Sequence, residues 1–220
     1  MNRPALAHRA GIVFDLDGTL VDSRQDLATA INELRLRMGL PPLALGEVTA
    51  MVGDGAHALL RRALPESVAG TAFEEALARF LDFYYEVCLT ATHAYGGVEE
   101  LLAGLAPRYP LAVLTNKPER HSRRILDGLG LLPRFGLVVG GDTLPTRKPD
   151  PGGLRWIAGA WATDPRRLLL VGDSAVDAET AREAGSELAL VSWGYGRPEQ
   201  LAEVSAWRVG SPAELLAGLD

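Results

Sequence analysis

Lysine is nearly absent from this chain. Of its 22 basic residues all but Lys117 and Lys148 are arginine. Cysteine is rarer still: Cys88 stands alone, which excludes an intramolecular disulfide. It falls in a helical pattern and reads as a small buried hydrophobe rather than a reactive thiol. No apolar run approaches the ~18 residues that a membrane span needs. The N-terminal stretch "MNRPALAHRAGIVF" is broken by Arg3, His8 and Arg9 and lacks the apolar segment of a signal peptide. A cytoplasmic protein is therefore expected. Positive charge is not in excess either. The net charge of −6 argues against nucleic acid and against an anionic membrane surface, while leaving room for a local cationic pocket that takes a small anion. Repeats and low-complexity segments are missing.

What is present suits a globular protein with a sizeable core. The 220 residues are 47% apolar and 23% charged, enough for one large domain or two unequal ones. Short apolar runs at 11–14, 111–114, 137–139, 168–171 and 188–191 end in Gly, Asp, Thr or Ser. They read as strands buried on both faces of a parallel sheet. Helical patterns separate the later ones: Val98, Leu101, Leu102 and Leu105; residues 119–129, ending near Gly130; and residues 175–184, stopped by Gly185. The tail "SPAE" at 211–214 supplies a Ser N-cap, a Pro at the first helical position and a Glu at the third. Strands alternating with helices predict an α/β fold with a doubly wound, mostly parallel, Rossmann-like sheet.

Residues 24–90 have another texture. Leu27, Ala30, Ile31, Leu34 and Met38 recur at helical spacing. "TAFE" at 71–74 reads as a capping box, and Phe73, Ala76, Leu77, Phe80, Leu81 and Tyr84 continue an apolar face. The pattern predicts an all-helical insert over 21–94, splitting the α/β core into 1–20 and 95–220. The crossings are expected near 20–23 and 91–97, and two crossings allow a hinge.

Ligands of an open parallel sheet sit beyond the carboxyl ends of its strands. Four such ends here carry polar residues: Asp15-Leu16-Asp17-Gly18-Thr19; Thr115-Asn116 with Lys117; the loop after residue 139, reaching Lys148; and Gly172-Asp173-Ser174, with Asp177 beyond. Each has a plainer reading. A lone Asp caps a helix or closes a turn, and Thr-Asn is a common N-cap. Four polar ends of complementary kind are harder to assign to coincidence. Residues two apart in extended chain face one side, so Asp15 and Asp17 can share a site. Carboxylates that close repel, and a divalent cation relieves the repulsion. With Asp173 the donors are all hard oxygens, which suits Mg²⁺. Thr115 and Asn116 offer a hydroxyl and backbone N–H groups to a phosphate oxygen, with a helix N-terminus behind them. Both lysines lie in these loops, each before a proline. In a chain that otherwise uses arginine, a crowded site that excludes the wide guanidinium is one reason to keep a lysine.

In order, "DLDGTLVDS", "LTN", "RKPDP" and "GDSAVD" resemble the four motifs of the haloacid dehalogenase superfamily, and the helical insert resembles its cap. Within that superfamily, "VGDGAHALLRRAL" at 52–64 and "GGDTLPTRKPDP" at 140–151 are similar to bacterial phosphoglycolate phosphatases. The resemblance implies a Mg²⁺-dependent phosphatase acting on 2-phosphoglycolate. Asp15 would be the nucleophile, Asp17 the proton donor and acceptor, and Lys148 the neutralising cation. The metal would be held by Asp15, the Asp17 backbone carbonyl and Asp173, with Asp177 orienting Lys148 or a metal-bound water. Gly18 and Thr19 would shape the loop, and Thr115 and Asn116 would cradle the transferring group. Gly53 would face the substrate from the cap, and Arg62 would pair with a substrate carboxylate or simply be a solvated helix cation. Dehalogenases of the superfamily lack an acid at the position of Asp17, since a departing halide needs no proton; its presence implies an oxygen leaving group. The expected partner is a small phosphorylated metabolite, the expected assembly a monomer or homodimer. Two kinds of alternative remain: a phosphatase of a sugar phosphate or pyrophosphate, and a phospho-accepting receiver-like domain or vestigial binding protein without turnover.

Overall fold

The structure is a computed structural model and describes residues 9–219. Residues 1–8, with Arg3 and His8, and residue 220 lie outside the described residues, as do the ends of the expected core segments. Strand β1 (Gly11–Phe14) leads to a short strand β2 (Val21–Asp22). Helices α1 (Arg24–Arg37), α2 (Leu45–Thr49), α3 (Ala56–Ala63) and α4 (Thr71–Val87) follow. The chain returns through β3 (His93–Ala94) to α5 (Val98–Leu105), β4 (Leu111–Leu114), α6 (Glu119–Gly128), β5 (Leu137–Val139) and α7 (Gly152–Ala160). It ends with β6 (Leu168–Gly172), α8 (Ala175–Ala184), β7 (Glu187–Val191), α9 (Pro198–Leu201), β8 (Trp207–Val209) and α10 (Pro212–Leu219).

Six strands form one sheet in the order β5-β4-β1-β6-β7-β8, every pair parallel. Strand β1 sits where the order reverses, with β4 on one side and β6 on the other, so the crevice beyond its carboxyl end is the switch point of the sheet. Alternate residues of each strand feed opposite layers. Ile12, Phe14, Val113, Leu169 and Val171 join the core beneath α5, α6 and α10. Val13, Ala112, Leu114, Leu168 and Leu170 join Leu154 and Ile157 of α7 and Ala181 of α8. Both faces are covered, which is why these strands read as unbroken apolar runs rather than alternating ones.

The local signals mostly hold. Ser211 Oγ accepts from Glu214 N, and the Glu214 carboxylate accepts from Gly210 N, as a capped start to α10 requires. Gly185 ends α8 in the left-handed conformation. The "TAFE" capping box is a correction. Thr71 is the first residue of α4 and caps nothing; Gly70 is the N-cap, with no side-chain cap bond. Its backbone turns at φ +55°, and its carbonyl already accepts from Phe73 N and Glu74 N. The chain therefore enters the helix one residue before the hydroxyl. Strand β8 is an addition, a short edge strand hidden in a polar stretch. Cys88 is buried, as read.

The helical segment joins the sheet through an antiparallel ribbon, β2 against β3, with Val21 opposite Ala94 and Asp22 opposite His93. Asp26, fully buried in the first turn of α1, accepts from Ala91 N, Thr92 N and Thr92 Oγ1. One carboxylate thus fastens the outgoing chain to the returning one. Leu27, Ile31 and Leu34 of α1 pack with Phe73, Phe80 and Tyr84 of α4 in a core continuous with one face of the sheet. Among the described residues no helix is long and apolar enough to cross a membrane.

Candidate active site

The four polar strand ends converge. Asp15 follows β1 directly and its backbone N donates to Val171 O, so the chain is still in sheet register as it leaves the core. Lys148, in the loop between β5 and α7, reaches across with its Nζ 2.9 Å from Asp15 Oδ1 and 2.6 Å from Asp177 Oδ1. Its side chain is 2% exposed. Asp177 also closes the N-terminus of α8: its Oδ2 accepts from Ser174 N (3.1 Å) and Ser174 Oγ (2.6 Å), and its own N donates to Ser174 Oγ. The plain capping role and the tether to Lys148 belong to the same carboxylate.

Asp173 Oδ2 accepts from Tyr195 N at 2.6 Å and Gly196 N at 3.1 Å. Gly18 turns at φ +84°, and a Cβ there would collide with the Asp173 carboxylate. The residue has to be glycine on both counts. Asp17 faces away from Lys148; its Oδ1 accepts from Ser23 Oγ and from Lys117 Nζ, the latter at 2.7 Å.

Asp15, Asp173 and Asp177 are buried, with carboxylate oxygens within 4.8 Å of one another. Lys148 pairs with Asp15 and Asp177 and not with Asp173. The charges show the imbalance. Burial pushes Asp15 up to about 6 against the pull of Lys148, with Asp177 and Asp17 adding to the rise. Burial, Asp177 and Asp15 push Asp173 up to about 8. Burial opposes the charge on Lys148, but Asp15 and Asp177 outweigh it and hold the ammonium firmly protonated. Hard oxygen donors with surplus negative charge fit a divalent cation such as Mg²⁺. Asp173 Oδ1 takes no hydrogen bond among the described residues, whereas both oxygens of Asp177 are occupied. Asp15 and Asp173 are thus the better-placed donors, and Asp177 is placed to hold Lys148.

Two spaces meet at Asp15 and Asp17. The outer one is a cleft of about 750 Å³, also lined by Arg24, Asp54, Arg62, Asp173 and Arg197. The inner one is a pocket of about 50 Å³. Its walls include Leu27, Val52, Leu59 and Phe80 from the helical segment, and Thr115, Asn116 and Lys117 from the sheet. Asn116 Nδ2 donates to Gly53 O (3.0 Å) and Lys148 O (2.9 Å), tying the loop between α2 and α3 to the core. Gly55 permits that approach: a Cβ there would press on Asn116 O at 2.9 Å. Thr115 Oγ1 accepts from Lys117 N, and the buried Thr19 Oγ1 has no partner.

Arg62 lies apart from this cluster. It is half exposed in the outer cleft, paired with Asp54 and bonded to Met51 O. That pairing neutralises Asp54, whose acidity beside an anionic substrate is otherwise awkward. His57 packs edge-on against Phe73.

Sequence reasoning passed over Ser23, Tyr84 and Tyr195 as contributors, and read Trp193 only as an aromatic packed at the end of the last strand. Ser23 and Tyr84 reach Asp17 and Lys117. The "WGYG" loop after β7 clamps the site: Trp193 Nε1 donates to Thr19 O, Tyr195 N to Asp173, and the Tyr195 hydroxyl to Asp22.

Fold and site together define a class: a doubly wound α/β protein with a carboxylate–lysine centre at the switch point of its sheet and a helical segment over it. The chain belongs to the haloacid dehalogenase-like hydrolases, whose family model matches residues 12–191. It is 40% identical over 215 residues to "Phosphoglycolate phosphatase" of Chromobacterium violaceum, covering 96% of each chain. To the protein of the same name in Rhodospirillum rubrum it is 42% identical over 206 residues, 90% of this chain and 85% of that one. Among solved structures, a predicted phosphoglycolate phosphatase from Haemophilus somnus 129pt superposes with a TM-score of 0.88 at 32% identity, covering 99% of this chain and 98% of that one.

Proposed function

We propose that this chain is a Mg²⁺-dependent phosphatase that hydrolyses 2-phosphoglycolate to glycolate and phosphate through an aspartyl-phosphate on Asp15. The observation that carries the reading is the pairing of Asp15 with a buried lysine while Asp17, beside it, lines a small pocket whose one cation is Lys117. The family and the relatives' names point the same way.

In this reading an Asp15 carboxylate oxygen attacks phosphorus and the bond from phosphorus to the glycolate oxygen breaks. Asp17 delivers a proton to that departing oxygen. Water then attacks the phosphorus, gives a proton to Asp17, and the bond to Asp15 breaks to free phosphate. Lys148, fixed by Asp177, offsets the charge that Asp15 meets on approaching a phosphate dianion. Asp15, Asp173 and the backbone carbonyl of Asp17 would hold Mg²⁺, which when bound supplies further neutralisation of the phosphoryl oxygens. Thr115, Thr19 and the backbone around Gly18 and Asn116 would cradle the phosphoryl group. Residues 21–94 would act as a cap on a core of 1–20 and 95–220, opening at the β2–β3 ribbon to admit substrate. The protein would work in the cytoplasm as a monomer or homodimer, without nucleic acid.

The inner pocket is the smaller and more apolar of the two spaces that meet at Asp15 and Asp17, which favours a small leaving group such as glycolate. A panel of phosphorylated metabolites, assayed with and without Mg²⁺, tests the reading. Phosphoglycolate is expected among the highest kcat/KM values, with turnover lost in chelator. A sugar phosphate or pyrophosphate in its place would overturn the substrate, and a stable phosphoprotein without turnover would overturn the activity.

A further inference from the structure

Lys117 is buried at the wall of the inner pocket, its side chain 4% exposed. Its Nζ donates to Asp17 Oδ1 and to the Tyr84 hydroxyl, each at 2.7 Å, and lies 4.8 Å from the centre of the Tyr84 ring. An ammonium has three protons to give. Two are spent, and the third has no acceptor among the described residues. Lys117 is also the one cation among the residues lining this pocket; the rest of the charge there is Asp15 and Asp17, and the walls are largely apolar. A buried cation with a free donor in an apolar pocket is arranged for an anion that comes and goes.

We infer that Lys117 is the specificity-determining residue that receives the substrate's carboxylate, an inference that rests on the phosphoglycolate reading above. The covalent geometry of the substrate supports it. In 2-phosphoglycolate a single methylene separates the leaving oxygen from the carboxyl carbon. The residue that protonates that oxygen and the cation that holds the carboxylate must therefore be neighbours, and Asp17 and Lys117 are in contact. Tyr84 orients the ammonium from the cap side, so the carboxylate would be gripped only with the helical segment closed down. Arg62 is not arranged for this: it stands half exposed in the outer cleft and does not line the inner pocket. The choice of lysine also has a reason. A compact ammonium can serve Asp17, Tyr84 and a small carboxylate at once, whereas a guanidinium is a wider, planar fork.

The test compares 2-phosphoglycolate with ethyl phosphate, which has the same leaving oxygen on a methylene but no carboxylate. Wild type is expected to prefer phosphoglycolate by kcat/KM. In Lys117→Met that preference should collapse by about 100-fold or more, as for a charged group losing its partner, whatever the common loss caused through Asp17. An equal loss on both substrates, with the preference intact, overturns the inference and leaves Lys117 as a positioning residue for Asp17. Wild type without any preference overturns the phosphoglycolate reading itself, a separate result. A second measurement needs no variant at Lys117. With two lysines in the chain, ε-¹³C-lysine labelling yields two signals, assigned through Lys148→Arg. In wild type the Lys117 signal should shift with glycolate and not with ethanol; the same response to both, or none to either, overturns the inference.

Discussion

At the residue scale, the site asks each side chain for one geometry. Asp15→Asn preserves shape and removes the nucleophile, so turnover should fall below about 1% of the parent rate with the fold intact; phosphate release under saturating Mg²⁺ measures it. Lys148→Arg keeps the charge and changes the shape. Lys148 is buried between Asp15 and Asp177 at hydrogen-bond distance from both, and a planar fork does not fit that gap. Activity should drop by about 100-fold or more; near-parental kcat would show that any cation serves. These residues were legible beforehand because they lie at strand ends, where chain direction alone predicts convergence. Ser23, Tyr84 and Tyr195 were not. A serine, two tyrosines and their hydroxyls carry no positional signature until the chain is folded around them.

At the element scale, one carboxylate fastens the two chain crossings between sheet and helices. Asp26 of α1 holds Ala91 and Thr92 by three hydrogen-bond donors. Asp26→Ala strands the two buried Thr92 donors and should cost about 2–4 kcal/mol, measured by urea unfolding, with Asp26→Asn losing less because one acceptor remains. His121 of α6 bonds to Leu81 O of α4 through Nε2 and stacks on Tyr84, while its buried Nδ1 has no partner. Burial pushes the imidazole below its ordinary 6.5, Lys117 and Arg120 add to this, and the Leu81 carbonyl opposes it. The folded protein therefore holds the ring neutral. The stability this represents is complete above about pH 6.5 and is lost as pH falls toward the depressed value, by at most ~1.4 kcal/mol per pH unit. His121→Gln should flatten that part of the stability–pH profile relative to wild type. Strands β1, β4, β5, β6 and β7 were readable from apolar runs, and α1 and α4 from periodicity. The start of α4 was misread because Gly70, not Thr71, makes the turn.

At the scale of the whole molecule, the centre carries more negative charge than its own lysine balances. A divalent cation should therefore stabilise the fold as well as activate it. Mg²⁺ at about 100 times its dissociation constant should add ~2.7 kcal/mol, read as a rise in Tm that chelator reverses. Asp173→Asn should remove most of that rise, while a uniform response in both proteins would mean the ion acts elsewhere. The same scale explains why the reaction centre separates two spaces. The sheet supplies the charged floor and the helical segment the apolar roof, and the small inner pocket exists only where both are in place.

Five of the six strands of the sheet, several amphipathic helices, a helical stretch after the first strand and the carboxylates and lysines at strand ends were determined by the sequence alone. Buried parallel strands, amphipathic helices and polar residues at strand termini all leave local patterns that period and position reveal. Which lysine meets which aspartate was decided by tertiary structure. So were the clamp of the "WGYG" loop on Asp173, the fastening by Asp26 and the placing of Lys117 against Asp17 and Tyr84. Those pairings join residues far apart in the chain, and no local pattern encodes a distance that only packing sets.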